Sequence, residues 1–311
     1  MAKLNWRQAR RDEKCPQCGK HDRYSIAPNG ASQCHRCQTV YRAAGASNSN
    51  GRVTGYVGEA HRPKPQSLTN AKTPPVDWSA EYERLRAAMT DERLLMLAES
   101  TALPVSAWSA VAPGWADAED LRRLCAGGAG WAENRPEGAY VFAERNGDGR
   151  IVGLSLRALD GRKGFLAGGS RGLTVPTSLH SMTGTVLIVE GASDVAACVA
   201  MGLPAVGRPS NRSGAEDLAD LLDGRPVLVV GERDGKPGGA WPGRDGAKAV
   251  AERIADLWSE AVGWTLPPHG VKDIREWLAH RQSNGLDTAD ASALKAAGAE
   301  LLAKLNEAAR L

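Results

Sequence analysis

No stretch of this chain approaches the roughly 20 consecutive apolar residues that a membrane-spanning helix needs, so a membrane span is not expected. The first residues, Met1-Ala2-Lys3-Leu4-Asn5-Trp6, carry no apolar core behind their charge. A secretory signal is therefore not expected either, and the chain reads as cytoplasmic. Cysteine is scarce, six in 311 residues, which excludes a disulfide-stapled scaffold of this length. No internal repeat is visible. A phosphate-binding P-loop is also missing. The run Gly231-Glu232-Arg233-Asp234-Gly235-Lys236-Pro237 imitates one, but only three residues separate its glycines, and Pro237 stands where a magnesium-binding Ser or Thr is needed. A fused helicase motor is thus not expected. What is present is ordinary for a soluble globular protein, with 42% hydrophobic and 24% charged residues and a length that suggests about two domains.

The net charge of +3 hides an asymmetry. Residues 1–62 hold eleven Lys and Arg against four acids, a net +7, so residues 63–311 carry −4. A basic head on a mildly acidic body suits a module that meets a polyanion, although a solvated basic tail would look the same. The head also holds Cys15-x2-Cys18 and Cys34-x2-Cys37, with fifteen residues between the pairs. Two such knuckles suit tetrahedral Zn²⁺, because each sets two thiolates on one side of the ion. A redox dithiol would need only one pair, within a βαβ unit; two disulfides are the other alternative. Asn29-Gly30 can turn a hairpin before the second pair. His21 and His35 are bystanders once four thiolates close the shell. A closed shell makes the ribbon structural rather than catalytic. Cys125 and Cys198 stand in apolar settings and read as buried packing residues.

Residues 1–42 therefore form the ribbon. Residues 43–75 form a flexible linker, since fourteen of those 33 are Gly, Pro, Ser or Asn. Residues 76–138 look helical: Asp77 or Ser79 can cap a helix carrying Tyr82, Leu85 and Met89, Thr90 can cap a second, and a third follows Pro104. Two short helices without a basic face read as packing rather than as helix-turn-helix DNA reading. From Tyr140 to Ala167 the pattern switches to strands broken by Asn146-Gly147-Asp148-Gly149 and Asp160-Gly161. Residues 184–282 alternate apolar strands (Thr185–Val189, Pro204–Val206, Pro226–Val230, Gly263–Leu266) with helices over 193–201, 214–222 and 246–258. Such alternation indicates a parallel sheet covered on both faces. Residues 283–311 close the chain, with an Ala/Leu-rich helix from 288 that reads as packing.

Each long apolar strand runs into acid: Glu190-Gly191-Ala192-Ser193-Asp194 after the first, Glu232-Arg233-Asp234 after a later one. The carboxyl ends of parallel strands form the ligand crevice of such sheets. Carboxylates converging there repel one another and call for a hard cation, most naturally Mg²⁺, the usual device for phosphoryl transfer. Acids at these places also cap helices, and Asp194 alone would fit that role equally well.

Glu-Gly-x-x-Asp followed by acid-x-acid resembles the TOPRIM domain of primases, topoisomerases and some nucleases. The four-Cys ribbon ahead of it narrows the resemblance to DnaG-type primases, especially those of phages and mobile elements. Gly149 to Arg157 with Asp160-Gly161-Arg162-Lys163 resembles that family's basic motif, and Val271-Lys272-Asp273 to Leu278 resembles the Lys-Asp motif of its phage-type members. Together these cover most of residues 15–282. The resemblance implies an α+β N-terminal part with a zinc ribbon, a basic subdomain over 76–183 and an α/β TOPRIM-like parallel-sheet catalytic domain over 184–282. It implies Glu190, Asp194, Glu232 and Asp234 as catalytic residues that hold Mg²⁺ or Mn²⁺, with Asp273 as a further ligand. It also implies Arg157, Lys163, Arg171 and Lys272 as contacts to template or substrate. The expected activity is RNA primer synthesis on single-stranded DNA from ribonucleoside triphosphates, with a replicative helicase acting in trans. A TOPRIM nuclease and a non-catalytic nucleic-acid-binding accessory of a mobile element are the alternatives. Two departures from the family pattern stand out: Glu232 replaces an Asp, and Lys236–Arg244 looks like an inserted loop.

Overall fold

The computed structural model describes residues 7–10, 12–15, 24–28, 31–34, 40–41, 76–124 and 137–311. Cys18, Cys37, Cys125, the Asn29-Gly30 turn, His21, His35 and the expected linker over 43–75 lie outside them. The chain divides into two compact units, 1–73 and 74–311.

In the first unit, β1 (Arg7–Gln8), β2 (Tyr24–Ile26), β3 (Ser32–Cys34) and β4 (Val40–Tyr41) form an antiparallel sheet in that order. Tyr24 pairs with Cys34 across the expected hairpin. Cys15 and Cys34 are both buried, in one cluster with Ala9 and Tyr24. One cysteine of each expected knuckle thus lies in the same small core.

The second unit opens with α1 (Trp78–Ala87), α2 (Asp91–Thr101) and α3 (Val105–Val111). Local chemistry sets their starts. The Asp77 carboxylate accepts the Ser79 and Ala80 N–H groups, Thr90 accepts that of Arg93, and Pro104 precedes α3. Ser79 lies inside α1 and is not its cap. Two elements were not anticipated, β5 (Gly114–Ala116) and α4 (Ala118–Leu124). β5 pairs with β6 (Ala139–Arg145), which pairs with β7 (Ile151–Ala158) and then β8 (Lys163–Phe165), all antiparallel. The alternation of β6 shows in its packing. Val141 faces Tyr82 and Leu85 of α1, while Tyr140 and Phe142 point to the core that holds Trp108 and Trp115.

A second sheet contains β9 (Val186–Glu190), β10 (Ala205–Arg208), β11 (Val227–Val230) and β12 (Gly263–Thr265) in the order β10-β9-β11-β12, every pair parallel. Helices α5 (Ala192–Ala200), α6 (Ala215–Leu221), α7 (Pro242–Trp258), α8 (Ile274–Ser283) and α9 (Ala291–Glu307) accompany it. Leu187, Val189, Leu228 and Val230 face α5, α8 and α9, while Val186, Ile188 and Val229 face α6 and α7. Both faces are covered, as the continuous apolar strands require. Thr174 exchanges both backbone hydrogen bonds with Gly207 of β10, and Leu173 does the same with Arg145 of β6, so one short segment stitches the two sheets together.

Several boundaries differ from expectation, among them β10, which runs to Arg208 rather than Val206. Helix α7 begins at Pro242 rather than Gly246, so the expected inserted loop loses its last three residues to a helical turn. Proline suits that first position because its missing N–H would find no intrahelical partner there anyway. The Lys-Asp motif region becomes α8, capped by Asp273. The C-terminal helix spans 291–307, with Asp290 as its cap, rather than 288–311. Among the described residues no single helix is long and apolar enough to cross a membrane.

Candidate active site

The parallel sheet delivers its acids to one edge. β9 ends at Glu190, and Gly191, at φ 85°, turns the chain directly into α5. That places Asp194 in the first turn of α5, buried at 3% exposure, where its Oδ1 accepts the Arg275 N–H at 2.9 Å. β11 ends at Val230 and delivers Glu232 one residue beyond Gly231. Gly231 has no room for a side chain, since a Cβ there would lie 2.6 Å from the Gly243 carbonyl oxygen. Asp273 caps α8 by accepting the Glu276 N–H at 2.7 Å. A backbone bond from Arg233 N–H to the Lys272 carbonyl at 2.8 Å holds the loop after β11 against the one before α8. Carboxylate oxygens of Asp194, Glu232 and Asp273 consequently lie within 4.8 Å of one another.

The remaining expected acids lie beside this group. Glu190 Oε2 is 3.9 Å from a guanidinium nitrogen of Arg208. Asp234 turns to α7 instead: its Oδ1 accepts the Gly243 N–H at 2.8 Å, and its Oδ2 lies 3.9 Å from Lys236. Lys272, expected on the substrate side, sits among the carboxylates, with Nζ 2.8 Å from Glu232 and 3.8 Å from Asp273.

These placements set the electrostatics. Burial, then the charge of Asp273, pushes the Asp194 carboxyl up to about 8. Burial and Glu232 also raise Glu190, against the opposing pull of Arg208, Lys163 and Lys272. Burial works against a charged Lys272, but its contact with Glu232 and the nearby Asp273 and Asp194 outweigh that and raise its pKa. Carboxylates held this close favour protonation unless a cation shares them. The donors are all oxygen, which fits Mg²⁺ or Mn²⁺ and not a soft metal. Cys198, one turn after Asp194, is fully buried and its thiol is pushed well above the usual range, which suits a packing role.

Arg157, Lys163 and Arg171 line one cavity together with Arg208 and the Gly191–Ser193 segment, and the charge of Lys163 reaches Glu190. Lys163 aims at the start of α5, since a Cβ on Gly191 would lie 3.9 Å from its Nζ. Arg171 is committed elsewhere: it pairs with the buried Glu144 at 3.2 Å and donates to the Pro209 carbonyl at 2.7 Å. Arg208 was not anticipated. Its only signal is a cation closing the apolar run Ala205-Val206-Gly207.

No protein-family model matches this chain, and no curated protein matches it by sequence. Solved structures do. The E. coli primase catalytic core superposes with a TM-score of 0.50 at 16% identity, covering 74% of this chain and 79% of that one. A DnaG primase catalytic domain bound to ssDNA gives 0.49 at 16% identity, covering 72% and 77%. A DNA primase domain from Pseudomonas aeruginosa gives 0.48 at 17% identity, covering 75% and 78%. At such identity the likeness to the E. coli core concerns the fold: the chain has a DnaG-type primase fold, with a mixed α/β architecture around a parallel sheet.

Proposed function

We propose that this chain is a DNA primase of the DnaG type, in the form used by phages and mobile elements, acting in the cytoplasm. The observation that carries this reading is the convergence of Asp194, Glu232 and Asp273 at the carboxyl edge of a parallel sheet, within a primase-like fold, with Arg208 between them and a basic cavity. On this reading residues 184–282 are a TOPRIM domain. Asp194, Glu232 and Asp273 hold Mg²⁺ or Mn²⁺, with Glu190 and Asp234 at the margin of the group. A divalent cation bound there supplies Lewis-acid stabilisation of charge on phosphoryl oxygens.

The chain's own residues supply the rest. Glu190, whose carboxyl burial and the charge of Glu232 hold above the usual range, serves as the general base for an attacking 3′-hydroxyl. Lys163 and Arg157 hold the triphosphate or the template phosphates by charge-assisted hydrogen bonds. Lys272 neutralises Glu232 and keeps the carboxylates from repelling one another apart. Cys15, Cys18, Cys34 and Cys37 hold a structural Zn²⁺ in a ribbon that positions single-stranded template. The helicase that a primase works with acts in trans.

The test is incorporation of labelled ribonucleotides on a panel of short single-stranded DNA templates with Mg²⁺ or Mn²⁺. Wild type yields short RNA products, and Glu190→Gln lowers the rate on the order of 10²-fold or more. No product with either metal, or full activity in Glu190→Gln, would sink the reading. Cleavage of nucleic acid without added nucleotides would favour a nuclease built on the same acids. Binding without metal-dependent chemistry would favour an accessory protein.

A further inference from the structure

Arg208 closes β10, and its side chain has no solvent exposure. A guanidinium carries five N–H donors and stays charged in proteins. Here Nη2 donates to the Val230 carbonyl at 3.2 Å and comes no nearer than 3.9 Å to Glu190. Nε and Nη1 are buried without an acceptor. Burial lowers the pKa of Arg208, against the opposing charges of Glu190, Glu232 and Asp194, yet an arginine starts too high for this to remove its charge. A buried cation with idle donors is a costly arrangement unless something outside the chain completes it.

The cavity it lines has the matching chemistry. Its volume is about 80 Å³, room for a few waters or a phosphate-sized group. One wall is the start of α5, a nine-residue helix capped by Gly191 with no side chain on its first N–H groups. Those N–H groups have no intrahelical partner, and the helix dipole points its positive end at the cavity. Lys163 and Arg157 stand at the rim. The acid in the lining, Glu144, is already balanced, since Arg171 pairs with it and the Gly172 N–H donates to it at 2.7 Å. Positive charge is therefore in excess around the cavity, with a sealed guanidinium behind one wall and a helix start forming another.

We propose that this cavity is an oxyanion site for a phosphate-class group, with Arg208 as its buried fork and the α5 N-terminus as its backbone cradle, and that it fills without a divalent cation. The carboxylates and this site then share one residue, Glu190, which faces Arg208 on one side and the charge of Glu232 on the other. The assignment of a natural occupant rests on the primase reading: either the polyphosphate of an incoming nucleotide or the pyrophosphate it releases. The chemistry of the site does not depend on that reading.

The full chain is titrated with inorganic pyrophosphate in buffer free of phosphate, sulfate, Mg²⁺ and Mn²⁺, followed by calorimetry and by thermal melting. Wild type binds one pyrophosphate per chain and melts higher in its presence. Arg208→Met binds at least tenfold more weakly and gains no melting temperature from the ligand, though it melts no lower than wild type when the ligand is absent. Arg208→Lys, which keeps the charge but loses the fork, falls between them and serves if the Met variant does not fold. ATP and inorganic phosphate are run as competitors. ATP displacing pyrophosphate identifies the incoming nucleotide as the occupant, and pyrophosphate bound in preference to ATP identifies the product. Either result fills the same site. Pyrophosphate that leaves wild type unmoved, or binds Arg208→Met as tightly, overturns the proposal. Nucleotide incorporation enters none of these readouts, so a failure here and a failure of the primase reading are separate results.

Discussion

Replacing Asp194 by Asn tests the carboxylate crevice through stability alone. Burial and the charge of Asp273 push this carboxyl up to about 8, against 3.8 for a free Asp. Between those two values the folded chain keeps a proton that the unfolded chain has released. Stability from this group therefore falls as pH rises, with a slope near 1.36 kcal/mol per pH unit for one proton. From about pH 6 to about pH 7.5 the loss is roughly 2 kcal/mol by that slope. For a unit of this size it corresponds to a drop in Tm of about 4–8 °C. Asn does not titrate, and its Oδ1 can still accept the Arg275 N–H that Asp194 accepts at 2.9 Å. Asp194→Asn should then melt above wild type at the upper end of the range, with a shallower pH dependence. Glu190 and Glu144, also raised by burial, add the same sign of slope to both proteins. Adding Mg²⁺ or Mn²⁺ should flatten the wild-type curve, because the cation favours the deprotonated carboxylates, and should affect the variant less. Thermal melts followed by circular dichroism across the pH range make the comparison. Parallel curves for the two proteins without divalent metal would refute the placement of Asp194 in a crowded, buried site.

Gly298→Ala probes the docking of α9 on α5: a Cβ there would meet the Met201 carbonyl oxygen at 2.2 Å. The clash should cost about 1–3 kcal/mol, more than the roughly 1 kcal/mol that Ala gains in helix propensity, and urea unfolding at unchanged m-value should read the loss. On the ribbon reading, atomic emission should find one zinc ion per wild-type chain and less in Cys15→Ser, while the second unit keeps its melting transition. Wild type purified without zinc would end the ribbon reading.

Much of the fold was legible because the signals are local. Asp77 and Thr90 announce α1 and α2 because a cap is a bond between a side chain and N–H groups two or three residues away. The parallel sheet was legible in the apolar runs at Val186–Val189 and Val227–Val230, which only a sheet covered on both faces can use. β5 was not legible. Its three residues fall in the stretch 76–138 that looks helical, and they form a strand because Trp115 pairs with Tyr140 on β6. The start of α7 was misplaced for a related reason. Pro242 and Gly243 look like loop residues, but the Gly243 N–H is taken by Asp234, whose carboxylate begins the helix from outside it.

The site was legible only in part, because strand ends supply candidates while register and helix phase decide which of them meet. Glu190, Asp194, Glu232 and Asp234 were all visible as acids after apolar strands. Asp194 reaches the crevice because Gly191 turns α5 so that its first turn faces α8. Asp234 is drawn toward α7, and Asp273, the weakest candidate by sequence, takes a central place because capping α8 holds it there. Arg208 could not have been found without the register. Seventeen residues separate it from Glu190, yet the two are direct partners across β9 and β10. In a parallel pair such partners project from the same face, so a cation at this position must share the sheet edge with the first acid of the site. That pairing at 3.9 Å is too long to satisfy the guanidinium and close enough to bias the carboxylate. The same register that assembles the carboxylates therefore also leaves a buried, part-satisfied guanidinium lining the cavity that the helix start lines too, and an oxyanion is the one kind of ligand that both would accept.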